Sequence, residues 1–257
     1  MGMKKILVMM VAVVLVGCGM TKVGPNVLAN ITDPIVEEAI RKELKKPEGE
    51  LTNADLNEVT FLSLSSTEIT DEGLKEVAKL NMLKHLVLND TQITDAGLKE
   101  VAKLKELEDL HLPLTQITDA GLKEVAKLQK LERLVLQGTQ ITDVGLKEVV
   151  KLQKLEGLVL HGTQITDEGL KEVAKLQQLT DLHLQESKIT DAGLKQVAKL
   201  QKLEGLSLGG PKVTDEGLRE VAKLQKLEAL FLTNTKVTKA GVAGLNKALP
   251  NCKIYGP

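Results

Sequence analysis

The sequence predicts an α/β solenoid: stacked strand–turn–helix units with one parallel sheet along one side and helices along the other. Three observations carry this. The phrase TQITDAGLKEVAKL runs from Thr91 to Leu104, returns unchanged from Thr115 to Leu128, and its frame recurs every 24 residues. Within each period the apolar spacing switches from helical to alternating. The 257 residues include no Trp, one Tyr and two Phe. A core of this size must then be built from Leu, Val, Ile and Ala, which a stack of small units can bury where one unit cannot.

Taken in chain order, the first segment is MGMKKILVMMVAVVLVGCGM. Lys4 and Lys5 precede an uncharged, mostly apolar run from Ile6 to Val16. That run is too short to span a bilayer as a helix and suits a signal-peptide core. Leu15-Val16-Gly17-Cys18 resembles a bacterial lipobox. The resemblance implies cleavage before Cys18 and lipid on its sulfur, with Gly19 favouring an outer membrane where two membranes exist. With Cys18 acylated, Cys252 has no partner in the chain, and the fold cannot rest on a disulfide. Residues 18–31 are then a short linker reaching about 40 Å or less beyond the anchor.

Asp33 and Pro34 open a helix whose Ile35, Ala39, Ile40 and Leu44 form one apolar stripe. A first strand is expected at Phe61–Ser65. This block, 32–66, reads as an N-terminal cap over the open end of the stack. Seven complete repeats follow at 67–234, starting at Thr67, Thr91, Thr115, Thr139, Thr163, Ser187 and Pro211. An eighth, partial copy with a C-terminal cap fills 235–257.

The copy at 91–114 shows how one unit works. Thr94 and Asp95 are good N-cap residues, so a helix is expected to start there. Leu98, Val101 and Ala102 make its apolar stripe, and Lys99, Glu100 and Lys103 face water. Glycine holds the place of Gly97 in all eight copies. Close backbone approach between stacked units, where a methyl group would collide, accounts for it. In Glu108-Asp109-Leu110-His111-Leu112 the apolar residues alternate, which marks a short strand with both leucines inward. Thr91 and its equivalents are expected to form a hydroxyl ladder to neighbouring turns, broken by Pro211.

The unit LxxLxLxxTxITDxGLxxVAKL resembles the leucine-rich repeat family, from about residue 32 to the end. It looks most like the ribonuclease-inhibitor-like and cysteine-containing varieties, with Thr where those carry Asn or Cys. The resemblance implies a right-handed arc or horseshoe with a concave parallel sheet and convex helices. It implies nothing about activity, because function lives in sites grafted on folds.

Function is therefore sought where the copies differ, mainly on the outward strand positions and the turn that follows. The candidate binding residues there are His85, Val87, Asp109, His111, Arg133, Val135, Val159, His161, Asp181, His183, Ser207 and Phe231. Exposed Val87, Val135, Val159 and Phe231 among polar neighbours suit a protein or peptide partner. His161 and His183 lie diagonally on adjacent strands near Asp181 and raise a metal-assisted ligand site, but no HxxxH or CxxC spacing supports a closed one. No GxSxG or phosphate loop is present, and an open sheet offers no pocket to shift pKa values, so no catalysis and no cofactor are expected. The 34 Lys and Arg balance 35 Asp and Glu, which supplies no basic stripe for nucleic acid. The Lys and Glu rows of the helices read as a solvated surface. The expected protein is a lipid-anchored, non-catalytic binding module of the bacterial envelope. The alternatives are a structural spacer or coat lipoprotein and the weak metal-assisted site.

Overall fold

The structure is a computed structural model and describes residues 27–256. The expected signal peptide and the expected lipidation at Cys18 lie outside the described residues. Among those described, no helix is long and apolar enough to cross a membrane.

The cap begins with α1 (Pro34–Glu43). The Asp33 carboxylate accepts hydrogen bonds from the N–H groups of Ile35 and Val36 at 2.9 and 3.2 Å, satisfying two donors that the first turn leaves free. Val36 and Ile40 of this helix are fully buried. Helix α2 (Asn53–Glu58) starts with a reciprocal capping box between Thr52 and Asp55. Lys46 adds an ion pair to Asp55 at 2.9 Å. That ammonium, then the Thr52 hydroxyl and N–H, hold the Asp55 carboxyl down at about 2.

Nine strands follow, one per unit: β1 (Phe61–Ser63), β2 (His85–Val87), β3 (Asp109–His111), β4 (Arg133–Val135), β5 (Gly157–Val159), β6 (Asp181–Leu184), β7 (Gly205–Gly209), β8 (Ala229–Thr233) and β9 (Lys253–Tyr255). They form one parallel sheet whose spatial order is the chain order. Each residue faces the one 24 places on, as His85 faces Asp109 and Leu86 faces Leu110. Leu62, Leu86, Leu110, Leu134, Leu158, Leu182 and Leu230 are wholly buried, and Leu206 nearly so. With Ile93, Leu98, Val101, Leu104 and their equivalents they make one continuous aliphatic core. This is a leucine-rich repeat solenoid, as the 24-residue period requires.

The helices are shorter at first than the capping pattern suggests. In the early units α3 (Leu74–Val77), α4 (Leu98–Val101) and α5 (Leu122–Val125) begin after the glycine. In the later ones α6 (Asp143–Val149), α7 (Asp167–Val173), α8 (Asp191–Val197) and α9 (Asp215–Val221) begin at the aspartate, with the preceding threonine as N-cap. The last, α10 (Lys239–Ala248), is the longest of the repeat helices and has one buried residue, Leu245.

Two sequence expectations are corrected in their atoms. A Cβ on Gly97 would lie 2.4 Å from Asp71 Oδ1 and 2.7 Å from Leu74 Cδ1. The collision is real, but with side chains of the preceding unit rather than its backbone. The threonine ladder is absent. Thr91 Oγ1 donates to Leu88 O at 2.8 Å, inside its own turn, and Thr115, Thr139 and Thr163 repeat this.

The bond between units belongs instead to the other threonine. Thr166 N–H and Oγ1 donate to the two carboxylate oxygens of Asp143 in the preceding unit, at 2.8 and 2.6 Å. The same hydroxyl accepts from Glu168 N–H at 3.2 Å and so caps the next helix. One donor and one acceptor of a single hydroxyl are both used. This clasp recurs at every junction from Asp71–Thr94 to Asp215–Thr238, and each glycine leaves room for the carboxylate it needs.

Candidate functional site

The register gathers the predicted variable residues on the concave side of the sheet. In the first column Asp109 stands between His85 and Arg133 on the flanking strands. Its carboxylate lies 3.8 Å from His85 Nδ1, 2.9 Å from His111 Nε2 and 3.9 Å from Arg133 Nε. The His111 contact is close but poorly aligned, so Oδ1 accepts no hydrogen bond of good geometry. Burial raises the Asp109 carboxyl, and contact with His111 together with the charges of His111, Arg133 and His85 outweighs it, so the net shift is downward. A hollow of about 260 Å³ opens here between His85, Arg133 and the carboxylates of Glu108, Glu132 and Glu156.

The other two histidines do not join into a site. His161 Nε2 turns to Glu186 at 3.4 Å. Burial lowers the His183 pKa against the opposing charge of Asp181. Among the described residues no group of three or more His, Cys, Asp or Glu is placed to hold a metal ion, so the metal-assisted reading gains no geometry. Catalysis gains none either. The free thiol of Cys252 is buried, and burial raises its pKa, which disfavours the thiolate.

Two predicted contact residues are corrected. Val135 is 8% exposed and Ser207 2%. Both sit in the second column, Val135 between His111 and Val159, and Ser207 between the larger His183 and Phe231. Val87 and Val159 are half-buried. At the first column Arg133 lies across Gly157, where a Cβ would come 3.3 Å from its Nη1.

The largest surface feature that the sequence reading missed is Tyr255. It follows Phe231 by one period, and the altered style of ALPNCKIYGP hides the match. The two rings stack in parallel, 4.6 Å between centroids and 9° between planes. Phe231 is 41% exposed, Tyr255 48%, and Phe61 at the opposite end 41%. All three aromatic residues of the chain therefore stand in strand positions of the concave sheet, and none is in the core. A second hollow of about 330 Å³ lies beside Phe61, between α1 and β1. A larger one, about 740 Å³, is on α1 itself and touches none of the concave columns.

Comparison with known proteins supports this fold. Residues 58–78, 79–102, 127–150, 151–174 and 175–198 match the family model described as Leucine Rich repeat. Among solved structures the chain is similar to internalin C2 (inlC2) from Listeria monocytogenes str. 4b F2365. The two share 28% identity over 86% of this chain and 93% of that one, with a TM-score of 0.65. Internalin (inlF) of the same strain shares 20% identity over 93% of this chain and 99% of that one, with a TM-score of 0.37. No curated protein matches the chain significantly.

Proposed function

We propose that the protein is a non-catalytic binding module, held at the bacterial envelope by lipid on Cys18, whose concave sheet recognises a protein or peptide partner. The observation that carries this reading is the segregation of difference. Helices and inward leucines repeat almost unchanged, while the residues that differ most from unit to unit lie on one open sheet and the turn that follows each strand. A rigid scaffold presenting a varied, partly apolar surface suits recognition. Leucine-rich repeat proteins generally mediate protein–protein interaction, and the likeness to a bacterial internalin agrees with an envelope setting.

The test is capture from an envelope extract of the producing cells. The bait is the protein, and the control carries Val159→Glu and Phe231→Glu with circular dichroism unchanged. A partner held by the first and lost by the second supports the reading. Equal retention moves the site to the helices or caps, and no retained protein favours a spacer role. Metabolic labelling with a fatty-acid analogue tests the anchor: label is expected on the native chain and absent from Cys18→Ser.

A further inference from the structure

The near-zero net charge of the whole chain conceals a division along the arc. Residues 27–186 contain 19 Lys and Arg against 29 Asp and Glu, whereas residues 187–256 contain 12 against 6. The first part is net negative by 10 and the second net positive by 6. The last unit, 235–256, has four lysines and no acid at all.

One turn position displays the change most clearly. The residue after the first turn threonine, or its equivalent, reads Glu68, Gln92, Gln116, Gln140, Gln164, then Lys188, Lys212 and Lys236. These residues stack from unit to unit. Gln140 and Gln164 N–H donate to Ile117 O and Ile141 O, and Lys188 and Lys236 N–H donate likewise to Ile165 O and Val213 O. The three lysines are exposed. Many helix lysines are bound to a glutamate three residues before them, as Lys175 is to Glu172 and Lys223 to Glu220. Among the ion pairs of the described residues none involves Lys188, Lys212, Lys236 or Lys253. Of the acids close to these turns, Asp191 and Asp215 are already held by Thr214 and Thr238, and Glu186 faces His161 at 3.4 Å.

The stacked Phe231 and Tyr255 stand on this same third of the arc, with Lys253 two residues from Tyr255 on the same strand face. Beside Phe231, β7 presents only Gly205, Ser207 and Gly209 outward, so no large side chain screens it from that side. Exposed parallel rings favour an apolar or aromatic side chain laid against them. Unpaired ammonium groups favour carboxylates and draw them in from a distance set by salt.

From this placement we propose that the C-terminal third of the arc is the recognition end, and that it takes an acidic peptide segment bearing an aromatic or apolar residue. This rests on the protein-or-peptide reading above and narrows it to one end and one chemistry. The aromatic residue of the partner packs on the Phe231–Tyr255 stack, and its carboxylates meet the lysine row along the adjoining turns. The acidic first two-thirds of the arc repels the same segment and fixes which end it enters.

The test uses the full chain in neutral detergent with a random Glu/Tyr copolymer as probe. Poly-Glu, poly-Lys, phosphatidylglycerol vesicles and duplex DNA serve as the other arms. The copolymer is expected to bind, to bind more tightly than poly-Glu, and to lose at least about tenfold in affinity between low and high salt. Phe231→Ala with Tyr255→Ala should lose about tenfold or more. Lys188→Gln with Lys212→Gln and Lys236→Gln, all at exposed positions, should remove most of the salt dependence. Lys123→Gln with Lys147→Gln, exposed on the helices, should change nothing. Preference for vesicles, DNA or poly-Lys over the copolymer overturns the proposal, as does copolymer binding that survives both C-terminal variants. If extract capture yields a partner that His85→Gln with Arg133→Gln releases and the C-terminal variants do not, this inference fails while recognition stands. If the copolymer binds as expected but extract capture yields nothing, this chemistry is upheld and the proposed protein partner is what fails.

Discussion

The frame of the solenoid and its concave face obey opposite rules. In the frame, each unit repeats the same leucines, the same glycine and the same aspartate–threonine clasp, because each must fit a neighbour built like itself. On the face, no two adjacent units agree across all three columns. Asp109 sits between a histidine and an arginine, while Gly205 sits between Asp181 and Ala229. The difference teaches that a substitution in the frame is read as stability and a substitution on the face as specificity. Each of the following measurements strains that division.

The largest effect belongs to the core. Leu134→Ala, at a wholly buried position, should destabilise by about 2–5 kcal/mol in urea unfolding. Gly121→Ala comes next. Its methyl would lie 2.3 Å from Asp95 Oδ1, a carboxylate held by Thr118 N–H and Oγ1 at 2.9 and 2.6 Å. Fitting it breaks the clasp or shifts the helix, at about 1–3 kcal/mol. Asp143→Ala leaves the glycine untouched and removes only the acceptor of Thr166, so a loss of about 1–3 kcal/mol is expected. If it proves neutral, the clasp is ornament and the frame rests on leucine alone.

A smaller effect concerns the cap. The Asp55 carboxyl, held down at about 2, titrates higher in the unfolded chain. Its contribution is therefore complete above about pH 4 and disappears as pH falls toward 2. Asp55→Asn should flatten that part of the pH–stability curve by lowering stability above about pH 4, where the Lys46 ion pair and the capping box are lost, with the two curves converging toward pH 2. Least of all, Phe231→Ala should cost no more than about 1 kcal/mol of stability, since its ring is exposed and touches chiefly Tyr255. A larger loss would mean that the aromatic pair belongs to the frame.

Much of this was legible because one number, the 24-residue period, sets strand register directly. Leu110 and Leu112 inward and Asp109 and His111 outward follow from alternation, and the structure places them so. The clasp was not legible. Asp143 and Thr166 lie 23 residues apart in two different units, and each also looks like an ordinary helix cap when read locally. The hydroxyl ladder assigned to Thr91 failed for the converse reason: a carbonyl three residues back satisfies it first. On the face, alternation gives direction but not depth. It could not tell that Val135 and Ser207 would be buried between their neighbours on adjacent strands. Tyr255 was hidden where the repeat changes style, and the charge division was hidden by summing over the whole chain.

The clasp carries a further consequence for length. Every junction it closes is chemically the same junction, with carboxylate behind and threonine ahead. Removal of residues 115–138 would bring Leu114 to Thr139 and leave Asp95 facing Thr142 as it now faces Thr118. The arc would shorten by one strand spacing, about 4.8 Å, with no buried surface left uncovered. The number of units is therefore a quantity the fold does not regulate, and the distance between the two ends can change in whole steps while both keep their chemistry.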